Sequence, residues 1–192
     1  MKRLNLPTRI TVLRLILIPF FVACYLTAFP YHELVAVGLF VIASATDWLD
    51  GHLARKHNQV TTLGKFLDPV ADKLLVCSAL VLVSVIDNVF SIPVIVASII
   101  IISRELVITC FRTIAATKNV IMAADKLGKI KTATQLFGLS LYLPYRTFAE
   151  INATLGSAFM YAGFVLLMVA TFFTLLSAIN YIVKNKSVLS DD

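Results

Sequence analysis

Long apolar runs alternate with short polar stretches along this chain, and each run has about the length of a helix that crosses a bilayer. Such a helix needs about 20 residues, because it rises about 1.5 Å per residue and the hydrocarbon core is about 30 Å thick. The pattern predicts six of them, at about 10–29, 33–55, 63–86, 91–116, 130–148 and 155–183. We therefore expect an all-α integral membrane protein with six transmembrane helices and a short N-terminal interfacial segment.

The expected domain organisation is simple, because these helices and their loops use nearly all of the 192 residues. It consists of a cytoplasmic interfacial segment at 1–9, a six-helix membrane domain at 10–186 and a C-terminal tail at 187–192. The composition also indicates a membrane protein, since 59% of the residues are hydrophobic and only 15% are charged, whereas about a quarter are charged in soluble domains.

The positive charges indicate both the partners and the orientation. The net charge is +6, but the basic residues stand at the ends of apolar runs and form no separate polar module. Membrane lipids and phosphorylated substrates are therefore the expected partners, and nucleic acid is not. Six helices with a cytoplasmic N-terminus place 16 of the 17 Lys and Arg residues on or near the cytoplasmic side, with Arg146 outside. Both termini and the loop between the second and third helices are then cytoplasmic.

Four carboxylates stand in the apolar sequence where the second predicted helix ends and the third begins. They belong to a set of eight residues, which we call the aspartate signature: Asp47, Asp50, Gly51, Ala54, Arg55, Gly64, Asp68 and Asp72. Helical periodicity gathers the first four of these residues on one face of their helix and the last three on one face of the next helix. Two such faces brought together would suit a pair of divalent cations with oxygen ligands and a nearby phosphate. The alternative is a set of solvated charges at helix ends, but carboxylates within apolar helices usually mark function.

The order and spacing of the aspartate signature resemble those of the CDP-alcohol phosphotransferases. The resemblance implies transfer of a substituted phosphoryl group from a CDP-linked donor to an alcohol, with release of CMP. It also implies two divalent cations, Mg²⁺ or Mn²⁺, as cofactors, and a homodimer. Metal binding would fall to Asp47, Asp50, Asp68 and Asp72. Asp72 would also be the catalytic base, and the donor nucleotide would be bound by Gly51, Ala54, Arg55 and Gly64.

A second group of charges indicates what the acceptor carries. The fourth predicted helix contains Arg104, Glu105 and Arg112, with Glu105 and Arg112 on one face. Basic residues follow near the same cytoplasmic end, and the predicted site for an acceptor phosphate consists of Arg104, Arg112, Lys126, Lys129 and Lys131. The alternative is a buried ion pair between Glu105 and Arg112 that only holds helices together.

Further motifs narrow the resemblance to bacterial phosphatidylglycerophosphate synthases within that family. They are Asn5-Leu6-Pro7-Thr8-Arg9-Ile10-Thr11 with Arg14, Ser103-Arg104-Glu105, Ala124-Asp125, Gly128-Lys129 and Lys131-Thr132-Ala133-Thr134-Gln135. This similarity implies CDP-diacylglycerol as donor, sn-glycerol 3-phosphate as acceptor and a location in the bacterial inner membrane.

Two alternatives stay open at this point. Another acceptor, such as an inositol phosphate, serine or phosphatidylglycerol, would fit the same chemistry. An ion transporter is the alternative from another class, although all four aspartates of the signature lie towards one end of the helices. The sixth predicted helix, rich in Phe and Leu, is expected to face the bilayer or to pack against a second copy in a dimer, and we assign no chemistry to it.

Overall fold

The computed structural model describes residues 6–57, 62–86, 88–117 and 126–184. Within the helices, the backbone but not the side chain is described at 6–9, 47–57, 62–66 and some single positions, including Asp68 and Lys126. The described residues form six long helices and one short one. They are α1 (Leu6–Leu26), α2 (His32–His57), α3 (Thr62–Ser84), α4 (Ser91–Thr117), α5 (Lys126–Tyr142), α6 (Tyr145–Ile151) and α7 (Ala153–Lys184).

The six long helices correspond to the six predicted ones, with two differences. Helix α1 begins at Leu6, so the end of the predicted interfacial segment is already helical. The prediction of one continuous helix over 130–148 is wrong, because α5 ends at Tyr142 and α6 starts at Tyr145. Pro144 caps α6 and explains the break, since proline has no backbone N–H to donate and disfavours helical geometry in the residue before it.

Helices α5 and α7 pack closely because glycine stands where they meet. A Cβ atom added to Gly163 would lie 2.7 Å from the backbone nitrogen of Tyr142, and one added to Gly138 would lie 3.1 Å from that of Leu167. A larger side chain at either position would push the helices apart. Helix α7 also packs on α4 and α6, while α1 packs on α2 and α3.

Polar contacts join the helix ends on the side of the bundle that contains Asn88. The Asn88 amide donates to the hydroxyl of Tyr142 at 2.8 Å and to that of Tyr145 at 3.1 Å. The buried Glu33 carboxylate accepts from both the backbone N–H and the hydroxyl of Thr147, at 3.0 and 2.9 Å. These bonds fix α2, α5 and α6 relative to one another at the end opposite the aspartate signature.

The surface of the long helices is apolar. Ser91–Thr113 and Ala153–Tyr181 are long and apolar enough to cross a membrane, and only 33% of an apolar 18-residue stretch in each is buried within the protein. The core helix of a soluble protein would be mostly buried, whereas here large side chains such as Ile92 and Phe172 face outwards. Ile10–Leu26 and His32–Thr46 are shorter apolar helices. The chain is a membrane protein, and its number of spans stays a prediction.

Candidate functional site

The two halves of the aspartate signature lie on two helices that pack together. Helix α2 carries the first half in its last turns, and α3 carries the second half in its first turns. Seven of the eight side chains lie outside the described ones: Asp47, Asp50, Gly51, Ala54, Arg55, Gly64 and Asp68. Their predicted roles in metal and nucleotide binding stay predictions. Among the side chains that are described, no three of His, Cys, Asp or Glu converge as metal ligands would.

Asp72 is the member of the signature whose side chain is described, and it is exposed at a cavity of about 500 Å³. Helices α3, α4, α5 and α7 all contribute to this cavity. The charged residues that line it are Asp72, Lys73, Arg104, Glu105, Arg112, Lys129 and Lys131. Five cations thus face two carboxylates among the described lining residues, and the excess of positive charge favours an anionic ligand.

Lys131 and Glu105 form the central ion pair of the cavity. The Lys131 side chain extends from α5 and is only 4% exposed, and its ammonium contacts the Glu105 carboxylate of α4. The same carboxylate oxygen accepts from the Arg104 guanidinium at 3.3 Å. One carboxylate is therefore shared by two cations. Burial of this ammonium group requires such a partner, because an unpaired buried charge is strongly destabilising.

Arg112 lies at the outer side of the cavity and contacts α7. Its side chain is exposed, its Nε–H donates to the Tyr181 hydroxyl at 3.2 Å, and its guanidinium carbon stands 5.5 Å from the centre of the Tyr181 ring. The alternative of a buried Glu105–Arg112 pair is therefore wrong: within the described part of the chain, Glu105 pairs with Arg104 and Lys131. Sequence spacing places both residues on one face of α4 but does not show what packs on that face.

Most of the predicted phosphate site is brought together by the fold. Arg104, Arg112, Lys129 and Lys131 all line the cavity that Asp72 faces. The side chain of Lys126 lies outside the described ones, so its role stays a prediction. The arrangement places a carboxylate that can accept a proton beside a cluster of cations that can bind a phosphate.

Comparison with known proteins gives the family. A family model described as CDP-alcohol phosphatidyltransferase matches residues 4–183, which include the whole aspartate signature and every residue that lines the cavity. The chain belongs to the CDP-alcohol phosphatidyltransferase family. This confirms the resemblance on which the predicted chemistry depends, and it places the chain among transferases, which disfavours the alternative of an ion transporter.

Members of this family that resemble the chain are similar over nearly their whole length. One from Bacillus subtilis is 41% identical and covers 96% of this chain and 97% of its own. Others from Haemophilus influenzae and Escherichia coli are each 38% identical, covering 99% and 97% of this chain and 98% of their own. All three are named CDP-diacylglycerol–glycerol-3-phosphate 3-phosphatidyltransferase.

The sequence analysis missed the contribution of α7 to the cavity. We assigned no chemistry to the last helix, yet Ser177 and Tyr181 line the cavity and contact two of its arginines. The available signal was weak: two hydroxyl-bearing residues four positions apart, at the end of an apolar run. Thr171 and Thr174 on the same helix bond only to its own carbonyls, so polarity alone does not identify the pair that lines the cavity.

Proposed function

We propose that this protein transfers the phosphatidyl group of CDP-diacylglycerol to sn-glycerol 3-phosphate, and that the products are phosphatidylglycerophosphate and CMP. The observation that carries the proposal is the cavity in which Asp72 meets Arg104, Arg112, Lys129 and Lys131. The names of the relatives support the choice of both substrates.

The chemistry assigns separate tasks to the two parts of the site. An acceptor hydroxyl forms a new bond to the diacylglycerol-linked phosphorus while the bond from that phosphorus to the CMP oxygen breaks. Asp72 takes the proton of the hydroxyl. As a carboxylate it is a weak base, so orientation of the acceptor by the basic residues does much of the work.

The aspartate signature is the proposed metal and donor site. Two Mg²⁺ or Mn²⁺ ions held by Asp47, Asp50, Asp68 and Asp72 would neutralise charge on the pyrophosphate. An all-carboxylate ligand set fits these hard cations. Asp72, whose side chain is described, is exposed at the cavity. Gly51, Ala54 and Gly64 would allow close approach of the nucleotide, and Arg55 would meet a donor phosphate.

Cation density favours glycerol 3-phosphate over the other acceptors. Its phosphate monoester is nearly a dianion, which several converging cations bind well. Serine carries its own ammonium group and matches this cavity poorly. An inositol phosphate also carries a phosphate, so it is the acceptor that an experiment must separate from glycerol 3-phosphate.

The further proposals concern the setting of the reaction. We propose a homodimer in the bacterial inner membrane, with multiple spans, cytoplasmic termini and a cytoplasmic active site. A lipid donor would then reach the site from the bilayer and a water-soluble acceptor from the cytosol.

CMP release by the detergent-purified protein tests the function. With CDP-diacylglycerol and Mg²⁺ present, we expect release to depend on glycerol 3-phosphate and to be small with an inositol phosphate, serine or phosphatidylglycerol. Asp72→Asn should abolish the release, and Glu150→Gln, at the opposite end of the bundle, should not. Faster turnover with another acceptor would contradict the assignment of glycerol 3-phosphate.

A further inference from the structure

The last helix supplies two hydroxyl groups to the arginines of the cavity. Ser177 and Tyr181 are 1% and 5% exposed and lie one helical turn apart on α7. The Ser177 hydroxyl accepts from the Arg104 guanidinium at 2.8 Å, and the Tyr181 hydroxyl accepts from the Nε–H of Arg112 at 3.2 Å. Both partners belong to α4, so these bonds connect two helices at the cavity wall.

The contact with Tyr181 fixes the plane of the Arg112 guanidinium. One bond holds Nε, while the tyrosine ring lies 5.5 Å from the guanidinium carbon. The ring is itself held in a small apolar cluster and meets the Phe111 ring edge-on, at 5.8 Å between centroids. Because Nε is used, the two terminal nitrogens stay available for a bidentate contact with a phosphate.

Arg104 is oriented in a comparable way from two sides. One terminal nitrogen donates to Glu105 of its own helix and the other donates to Ser177 of α7. An arginine side chain has many rotamers, and holding it in place before the ligand arrives removes part of the entropy cost of binding.

We propose that Tyr181 and Ser177 are positioning residues for the acceptor: they orient Arg112 and Arg104 towards the phosphate monoester, so that α7 helps to set acceptor affinity. This inference rests on the proposed function. It assigns a role to α7. The neighbouring hydroxyls of Thr171 and Thr174, which are also described, bond only to carbonyls within α7 and not to an arginine.

Tyr181→Phe is the main test, because it removes the hydroxyl and keeps the ring. We expect the KM for glycerol 3-phosphate to rise about three- to tenfold, as for loss of one hydrogen bond, while kcat and the KM for CDP-diacylglycerol stay unchanged. Ser177→Ala should act in the same direction. The matched control is Thr174→Val, which removes a fully buried hydroxyl from the same helix and should leave all three constants unchanged.

A double variant tests whether Tyr181 acts through Arg112. In an Arg112→Ala background, Tyr181→Phe should raise the acceptor KM no further, because its partner is gone. An unchanged acceptor KM in Tyr181→Phe and Ser177→Ala would overturn the proposal, as would an equal rise in both KM values. Wild-type protein that releases no CMP with glycerol 3-phosphate would instead contradict the proposed function.

Discussion

At the scale of single residues, Glu105 is the acid that holds the basic cavity together. It contacts Lys131 of α5 and Arg104 of its own helix, and 20% of its side chain is exposed. Without this carboxylate, the positive charges of Lys131 and Arg104 would repel each other and would both lose a negative partner. Glu105 therefore stabilises the protein by compensating part of a cluster of positive charge, and the cations are the proposed binding groups for the acceptor phosphate.

Glu105→Gln should lower the free energy of unfolding by about 1 to 3 kcal/mol, less than for a fully buried pair because solvent reaches the carboxylate. Adding Lys131→Met should restore part of this stability, since the unpaired ammonium group is removed. The thermal unfolding midpoint in detergent measures both effects. The double variant should still bind glycerol 3-phosphate poorly, and normal acceptor affinity in it would remove Lys131 from the phosphate site.

Arg112 is the residue whose substitution best separates the acceptor from the donor. Arg112→Ala should raise the KM for glycerol 3-phosphate about ten- to hundredfold, as for loss of a charge-assisted bidentate contact, with little change for CDP-diacylglycerol. Arg112→Lys should restore only part of the affinity, because a point charge replaces a planar fork. Steady-state kinetics with each substrate varied in turn measures this, and Arg146→Ala at the far end is the control. A shift confined to the donor KM would place Arg112 on the pyrophosphate side.

At the scale of helices, the site depends on how closely α5 and α7 approach. Helix α5 carries Lys131 and α7 carries Ser177 and Tyr181, so both helices form part of the cavity wall. Gly163 allows the approach, because a Cβ atom there would collide with the backbone of Tyr142. Gly38 of α2, by contrast, has nothing within 4 Å of the position of an added Cβ atom.

Gly163→Ala should therefore lower both the thermal unfolding midpoint and the rate of CMP release, because α5 and α7 must separate to admit the methyl group. Gly38→Ala is the matched control. In open space, alanine should stabilise its helix by about 0.5 to 1 kcal/mol relative to glycine. Equal midpoints for the two variants would show that the packing of α5 on α7 does not limit stability.

At the scale of the whole molecule, opposite ends of the bundle differ in charge. The end that carries the cavity gathers Lys73, Arg104, Arg112, Lys129 and Lys131, whereas Arg146 lies at the other end in a cavity shared with Glu33 and Glu150. A cytoplasmic excess of Lys and Arg is the usual signal of orientation in membrane proteins. The cavity is therefore expected to open to the cytosol.

Labelling of single cysteines tests this orientation, in a background from which Cys24, Cys77 and Cys110 have been removed. A cysteine at Asn152, in the turn between α6 and α7, should react with a membrane-impermeant maleimide on intact cells. A cysteine at Asn58, which lies outside the described residues, should react only after permeabilisation. The reverse result would contradict both the topology and a cytosolic acceptor.

The sequence alone determined the features that depend on local pattern. Apolar runs of bilayer length located five of the six long helices to within four residues at each end. The aspartate signature resembled that of the family to which the chain belongs. The sequence also indicated a phosphate site, because Arg104 and Arg112 lie within one apolar run and Lys129 and Lys131 follow near its cytoplasmic end. All four line the cavity. Pro144 was a signal for the break between α5 and α6. The prediction of one continuous helix followed instead from the length of the apolar run.

Only the tertiary structure decided which side chains meet. Ser177 and Tyr181 bond to arginines that are 73 and 69 residues away in the chain, and helical periodicity carries no information about such a pairing. Glu105 pairs with Lys131 and not with Arg112, and this pairing depends on how α4 and α5 are rotated towards each other. That rotation is set by the packing of many apolar side chains, and by the glycines where α5 meets α7, so no single local pattern determines it.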